Sequence, residues 1–320
     1  MYRAMKARYR LSCEWVVADD GTRLPVSVIG TGTPVVLLHA FGMDARQFIP
    51  FILPLLSRYR FYLPHYRGFG MASELILPQF DFIEQYATDT RAVFTHITTT
   101  TQTERVPVAG ISMGALVMWA YFSRFGTDKV SRFLNIDQAP LIHHQPDCHA
   151  GVFGDKQGQM FARFRTLIAA SQPYMQLSDF RHLPDGVKRA LLETERDFSL
   201  LSVGSRAASG LTQLSSMRPS YRRTFYQHPT WRHKIRCLHA YTELPYDYRA
   251  VLPSVSIPVT WLIGARSTLY AATEQRKLAE RLPNVDIHVL PSAGHAIPMD
   301  APIGFYRAIK AFLDLDTDKG

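Results

Sequence analysis

Short apolar runs alternate with amphipathic helical patterns at both ends of this 320-residue chain. The runs that look like strands are PVVLLH (34–39), FYLPH (61–65), VPVAGI (106–111), RFLNID (132–137), PVTWLIG (258–264) and VDIHVL (285–290). Helical patterns lie at 44–57, 80–97, 113–125, 273–282 and 304–313. Regular alternation of strands and helices is typical of a mostly parallel sheet with helices on its faces, so an α/β fold is predicted.

The alternation stops in the middle of the chain. Residues 141–250 contain no comparable apolar run, and stretches such as VKRALLETERDF look helical. We therefore expect a core domain formed by residues 1–140 and 251–320, with a helical cap or lid inserted at 141–250.

Composition restricts the class of protein. Hydrophobic residues make up 47% of the chain and charged residues 20%, as in a soluble globular protein. No run approaches the roughly 18 apolar residues of a membrane helix, and the N-terminus lacks the apolar stretch of a signal peptide. A cytoplasmic protein with no membrane partner is expected. Three widely separated cysteines form neither a disulfide framework nor a CxxC motif.

The net charge of +9 comes largely from one segment, because residues 181–236 contain eleven basic and four acidic residues. These charges are scattered, and no nucleic-acid motif accompanies them, so we expect no nucleic-acid partner. The pattern indicates a solvated face and leaves open an anionic small-molecule substrate.

The stretch GISMG places Ser112 between Gly110 and Gly114, after a predicted strand and before a predicted helix. A Gly-x-Ser-x-Gly motif in this setting forms a sharp turn that exposes the serine hydroxyl above the sheet. The glycines are needed because side chains there would collide with the neighbouring strand and helix. Ser112 is therefore predicted to be a nucleophile.

A serine nucleophile needs a base that takes its proton. His295, in PSAGHAIPMDAP, follows the last predicted strand and lies downstream of the serine, as the order serine, acid, histidine requires.

Four stretches together resemble proteins of the α/β-hydrolase fold: VVLLHAFG, HYRGFG, GISMG, and SAGHAIPMDAP followed by a final helix. The resemblance covers nearly the whole chain except the insertion. It implies a Ser-His-acid triad and needs no cofactor.

The family often places its acid in a Gly-x-x-Asp turn, but the matching turn here, GARSTLY, has Ser267 at that position. A second acid position is known in the fold. It follows the strand that comes after the helix beginning at the Gly-x-Ser-x-Gly turn, and here it is occupied by Asp137 in LNIDQAP. We therefore expect Asp137 to be the acid, and changing Ser267 to alanine to have little effect. Asp286, inside a strand, and Asp300, beyond the histidine, are less well placed.

The fold supplies an oxyanion hole from two backbone N–H groups. One belongs to Met113, the residue after the nucleophile. The other, by match to the family's turn, belongs to Phe41 in HAFG, while His39 is expected to be structural. The stretch HHQPDCH (143–149) contains metal-ligand residue types, but the adjacent histidines point apart and the hydrolytic machinery needs no metal, so no metal site is predicted.

These features predict a serine hydrolase that cleaves a carboxylic ester, lactone or related acyl compound. Carbon–carbon bond hydrolases, perhydrolases and thioesterases use the same three residues and stay open as alternatives. A non-catalytic ligand-binding protein of this fold is the alternative from another class.

Overall fold

A computed structural model describes residues 9–205, 210 and 230–314. Its central sheet has eight strands in the spatial order β1-β2-β4-β3-β5-β6-β7-β8. The strands are β1 (Ser12–Val17), β2 (Arg23–Gly30), β3 (Thr33–Leu38), β4 (Tyr59–Pro64), β5 (Val106–Ile111), β6 (Val130–Ile136), β7 (Val259–Gly264) and β8 (Val285–Leu290). The predicted α/β fold is confirmed.

Strands β3 to β8 are parallel, whereas β1 and β2 add an antiparallel pair at one edge. The six predicted strands correspond to β3–β8 with shifts of no more than two residues at either end. The pair β1 and β2 was not predicted. Strand β1 lies at the sheet edge with only Val16 fully buried, so its sequence carries a weak alternation of apolar and polar residues.

The α-helices whose full extent lies in the described ranges are α1 (Ile49–Ile52), α2 (Phe82–Thr101), α3 (Met113–Phe125), α4 (Gln157–Ser171), α5 (Asp185–Ser202), α6 (Thr230–Glu243), α7 (Ala272–Ala279), α8 (Ile297–Asp300) and α9 (Pro302–Asp314). The prediction of a single helix over 44–57 was wrong. Short 3₁₀ turns flank α1 there, because Pro50 and Pro54 lack the backbone N–H that a longer helix would use.

Helices α4, α5 and α6 lie between β6 and β7 in the chain. Helix α4 packs against both α5 and α6. Within the described part of this segment, no residue joins the central sheet. The boundaries of the inserted cap at residues 141 and 250 stay a prediction.

The sheet is buried on both faces. One face packs against α2 and α3 with large side chains such as Trp119 and Phe133, and the other packs against α1 and α9 with Phe305 and Phe312. Because the parallel strands share one direction, their carboxyl ends meet at one edge of the sheet. None of the helices in the described ranges is both apolar enough and long enough to cross a bilayer.

Candidate active site

Ser112 forms the sharp turn between β5 and α3. Its φ angle is +51°, a left-handed value that is uncommon for a residue other than glycine. A Cβ atom at Gly110 would lie 2.7 Å from the backbone nitrogen of Ala115, and one at Gly114 would lie 2.5 Å from the carbonyl oxygen of Leu38. The predicted steric need for both glycines is confirmed, since only a bare Cα lets α3 approach β5 at Gly110 and β3 at Gly114 this closely.

His295 lies within hydrogen-bond distance of Ser112. It follows β8 in a loop, and its Nε2 is 2.8 Å from Ser112 Oγ while its Nδ1 is 2.8 Å from Oδ2 of Asp137. A carboxylate only accepts, so Nδ1–H donates to Asp137 and Nε2 accepts from the Ser112 hydroxyl. The structure thus brings together the serine, histidine and aspartate that the sequence singled out.

Asp137 comes directly after β6, and its side chain has no solvent exposure. Its φ angle of +49° turns the chain away from the sheet at this point. Oδ1 accepts from the Gly264 N–H at 2.8 Å and from Gln275 Nε2 at 2.9 Å. Oδ2 accepts from His295 and from the Ser267 hydroxyl at 2.6 Å. Four donors therefore offset the cost of removing this carboxylate from water.

Gln275 is held in the orientation that suits Asp137. Its Oε1 accepts from the indole N–H of Trp261 at 3.0 Å, which leaves its amide nitrogen facing the carboxylate. Gln275 could not be recognised in the sequence, because a glutamine in an amphipathic helix has no motif around it. Ser267 stood out in the sequence only as the position where an acid was missing, although its hydroxyl contacts Asp137.

The two expected oxyanion donors are the backbone N–H groups of Met113, which follows Ser112, and of Phe41, which lies far upstream in the chain. Met113 is the first residue of α3, a position whose N–H has no acceptor within its own helix. Phe41 lies in the turn after β3 and lines the same cavity as Ser112. Over the ranges that the structure covers, neither N–H donates to a protein acceptor.

His39 shapes the turn that carries Phe41. Its Nδ1–H donates to the carbonyl oxygen of Ala40 at 2.8 Å, and its Nε2 accepts from the Tyr66 N–H at 3.2 Å. Complete burial lowers the pKa of His39 to about 4, so the ring is neutral at pH 7 and can accept this bond. The geometry agrees with the structural role expected for His39.

A largely apolar cavity opens over Ser112 and extends beneath the helices between β6 and β7. Its apolar and aromatic lining comprises Phe41, Ile142, Val152, Phe153, Phe161, Phe164, Leu167, Leu191, Phe198, Leu238, Tyr241, Leu269 and Tyr270. In addition to Ser112, four polar side chains line the cavity: Gln138, Thr194, Glu195 and Lys234. The cavity therefore offers an apolar compound a dry site next to the serine.

Two histidines of HHQPDCH, His143 and His144, bond backbone groups of the protein. His143 Nε2–H donates to the carbonyl oxygen of Tyr241, and His144 bonds the backbone of Gly151 and of Gly154. No group of three His, Cys, Asp or Glu side chains in the described ranges is arranged to hold a metal ion.

The chain resembles known proteins in sequence and in structure. A family model of the alpha/beta hydrolase fold matches residues 33–302. An esterase from Exiguobacterium antarcticum superposes with a TM-score of 0.73 at 19% identity, over 95% of this chain and all of the other. A thermophilic esterase from Thermogutta terrifontis gives 0.69 at 20% identity, over 94% of this chain and 98% of the other.

A bromoperoxidase from Bacillus anthracis also gives a TM-score of 0.69, at 17% identity, over 95% of this chain and all of the other. Likeness at such low identity establishes the shared architecture alone. The family model, in contrast, spans more than four fifths of the sequence and includes Ser112, Asp137 and His295. The chain therefore belongs to the alpha/beta hydrolase fold family.

Proposed function

We propose that this protein is a serine hydrolase that cleaves a carboxylic ester, a lactone or a related acyl compound. The observation that carries the proposal is the continuous hydrogen-bond chain from Ser112 through His295 to the buried Asp137, beside an apolar cavity. A serine, a base and an orienting carboxylate within hydrogen-bond distance form the arrangement that activates a hydroxyl for acyl transfer.

In the first half of the reaction, Ser112 Oγ attacks the substrate carbonyl while its proton passes to His295 Nε2. The carboxylate of Asp137 stabilises the resulting imidazolium, and the N–H groups of Phe41 and Met113 bind the negative oxygen of the tetrahedral intermediate. The imidazolium then protonates the leaving alcohol, which leaves an acyl-enzyme on Ser112. Water, deprotonated by His295, hydrolyses this ester and releases the acid.

The reaction needs no cofactor. The apolar lining favours a substrate with substantial hydrocarbon surface, and the esterases among the structural neighbours support ester cleavage.

The bromoperoxidase neighbour favours perhydrolysis as a second candidate, in which hydrogen peroxide replaces water in attacking the acyl-enzyme. Carbon–carbon bond and thioester cleavage stay open. The cytoplasmic location and the absence of a nucleic-acid partner stay predictions.

A fluorophosphonate probe tests the proposal without assuming a substrate, because it reacts only with an activated serine. Intact-mass measurement should show one adduct on the wild-type protein and none on Ser112→Ala. Ser254→Ala is the matched control, since its hydroxyl bonds the carbonyl oxygen of Val251 away from the cavity, and it should label like wild type.

A folded wild-type protein that forms no adduct, and that hydrolyses neither esters nor lactones, would contradict the proposal and favour the non-catalytic binding protein. If labelling occurs, the same variants can be assayed on ester and lactone panels and for peracid formation with hydrogen peroxide. Peracid formed faster than the free acid would favour the perhydrolase.

A further inference from the structure

Two charged side chains face the apolar cavity. Glu195 comes from α5 and Lys234 from α6, and their Nζ–Oε1 distance is 2.8 Å. The lysine side chain is 3% exposed and the glutamate 16%. Among the lining residues in the described ranges, these two are the only ones with a formal charge at pH 7.

The ion pair lies against the turn that carries the oxyanion donor Phe41. Gly42 follows Phe41, and a Cβ atom on Gly42 would lie 3.3 Å from Lys234 Cε and 3.7 Å from Glu195 Oε1. The charged groups therefore lie near the end of the cavity where the substrate carbonyl would bind.

Stability is a weak explanation for this pair. Removing an ammonium and a carboxylate from water costs several kcal/mol each, and apolar residues of similar volume are often at least as stabilising. Apolar side chains at both positions would also match the rest of the lining. The pair gives the cavity instead a hydrogen-bond donor and an acceptor that are fixed beside each other.

We propose that Lys234 and Glu195 recognise a hydroxyl group on the substrate, so that the enzyme acts on hydroxylated acyl compounds; the inference rests on the proposed hydrolase function. A hydroxyl oxygen can accept from the ammonium while its proton is donated to the carboxylate. Both bonds involve a charged partner and are therefore stronger than bonds between neutral groups.

A neutral group suits this pair better than an ion. A substrate carboxylate near Lys234 would also lie near the Glu195 carboxylate, and a substrate ammonium near Glu195 would meet Lys234. In either case one partner would repel the ligand in a poorly hydrated cavity. A hydroxyl can bond both charged groups without adding net charge.

The test compares three 4-nitrophenyl esters of equal chain length: hexanoate, 3-hydroxyhexanoate and the mono-ester of adipate, which ends in a carboxylate. The wild-type protein should prefer the hydroxylated ester over hexanoate by on the order of tenfold or more in kcat/KM. In Glu195→Gln and in Lys234→Met this ratio should fall towards one. The ratio is the informative quantity, because a general loss of packing would lower both rates together.

The matched control is the ion pair of Arg163 and Asp197, which joins α4 to α5 with an N–O distance of 2.8 Å but does not line the cavity. Arg163→Met and Asp197→Asn should keep the wild-type ratio. A ratio near one in a wild-type protein that labels with fluorophosphonate would overturn the hydroxyl inference and leave the hydrolase standing.

A preference for the adipate ester that Lys234→Met abolishes would overturn it in favour of anion recognition. If wild type neither labels nor cleaves any of the three esters, the proposed function and this inference both fail.

Discussion

Ser267 donates a hydrogen bond of 2.6 Å to the same carboxylate oxygen of Asp137 that accepts from His295. The serine occupies the turn where relatives often have their acid, and Asp137 follows the neighbouring strand β6. Asp137 and the residue at the family's more usual acid position are therefore in direct contact. Their contact explains how the carboxylate can come from a different strand and still orient the same imidazole.

Asp137→Asn should lower kcat by on the order of 10³ to 10⁴, because an amide cannot stabilise the imidazolium and can impose the wrong histidine tautomer. Steady-state kinetics on any accepted ester measure this effect. Asp286→Asn is the control, since Asp286 is exposed on β8 and its carboxylate bonds His288. Equal kcat in the Asp137→Asn and wild-type proteins would exclude Asp137 as the acid.

Ser267→Ala should lower kcat measurably, by about tenfold or less, since three of the four donors to Asp137 remain. The hydrogen bond makes this effect larger than the sequence alone indicates. Ser267→Thr keeps a hydroxyl and should recover most of the loss. If alanine and threonine behave alike, the hydroxyl does not support the carboxylate.

Local patterns were sufficient to predict the parallel part of the sheet, because strands buried on both faces are short continuous apolar runs. Strand β1 lacked that signal, since most of its residues are exposed or half-buried. Strand β2 is mostly buried, but Pro25 and Ser27 interrupt its apolar run. The predicted helix over 44–57 ignored the two prolines that restrict it to short turns.

Ser112 and His295 could be predicted because the Gly-x-Ser-x-Gly turn and the loop after the last strand have characteristic sequences. Asp137 could be predicted from its position at a strand end, once Ser267 was seen in place of the acid. Gln275, Glu195 and Lys234 were missed because each lies in a helix with no motif, and only the folded chain brings them to the site.

Gly114→Ala should lower the free energy of unfolding by about 1–3 kcal/mol, as an overpacked core does. The new methyl group would lie 2.5 Å from the carbonyl oxygen of Leu38, and this backbone atom can move only if α3 separates from β3. Gly158→Ala, in α4, should instead stabilise by up to about 1 kcal/mol, because in the described part of the chain its Cβ would contact nothing within 4 Å beyond its neighbours and its own helix backbone. Urea unfolding at constant m-value measures both, and a neutral Gly114→Ala would contradict the close approach.

Stability should fall as the pH drops from about 6.5 towards 4. Burial lowers the pKa of His39 to about 4 and the pKa values of His65 and His233 to about 3. In the unfolded chain these histidines take up protons near pH 6.5, so acid favours unfolding. Each should contribute about 1 kcal/mol to the loss between pH 7 and 5.5.

Urea unfolding at the two pH values measures that loss. His233→Gln should reduce the pH dependence, because it removes one of the three buried rings, even if it also lowers stability at pH 7. His233 lies against Gly68 and bonds the Tyr86 hydroxyl at 2.7 Å, so its ring has little room to become solvated. Unchanged stability between pH 7 and 5.5 would contradict the assignment.

Asp300 should position His295, the proposed catalytic base, although Asp300 lies outside the proposed triad. Its Oδ2 accepts from the N–H groups of Gly294 and Gly204, each at 2.8 Å, and its Oδ1 accepts from the Ser205 N–H at 3.0 Å. Gly294 directly precedes His295, while Gly204 and Ser205 follow α5. One carboxylate therefore joins the histidine loop to the segment after a cavity-lining helix.

Asp300→Asn keeps one acceptor oxygen and Asp300→Ala keeps none, so the rate of fluorophosphonate labelling should fall in the order wild type, asparagine, alanine. A displaced imidazole deprotonates Ser112 less effectively, and a shift of about 1 Å can cost up to a hundredfold in rate. Labelling reports this loss independently of substrate affinity, because the probe reacts with the serine itself. Equal labelling rates in all three folded proteins would show that the loop keeps its geometry without Asp300, since His295 is also held by its bond to Asp137.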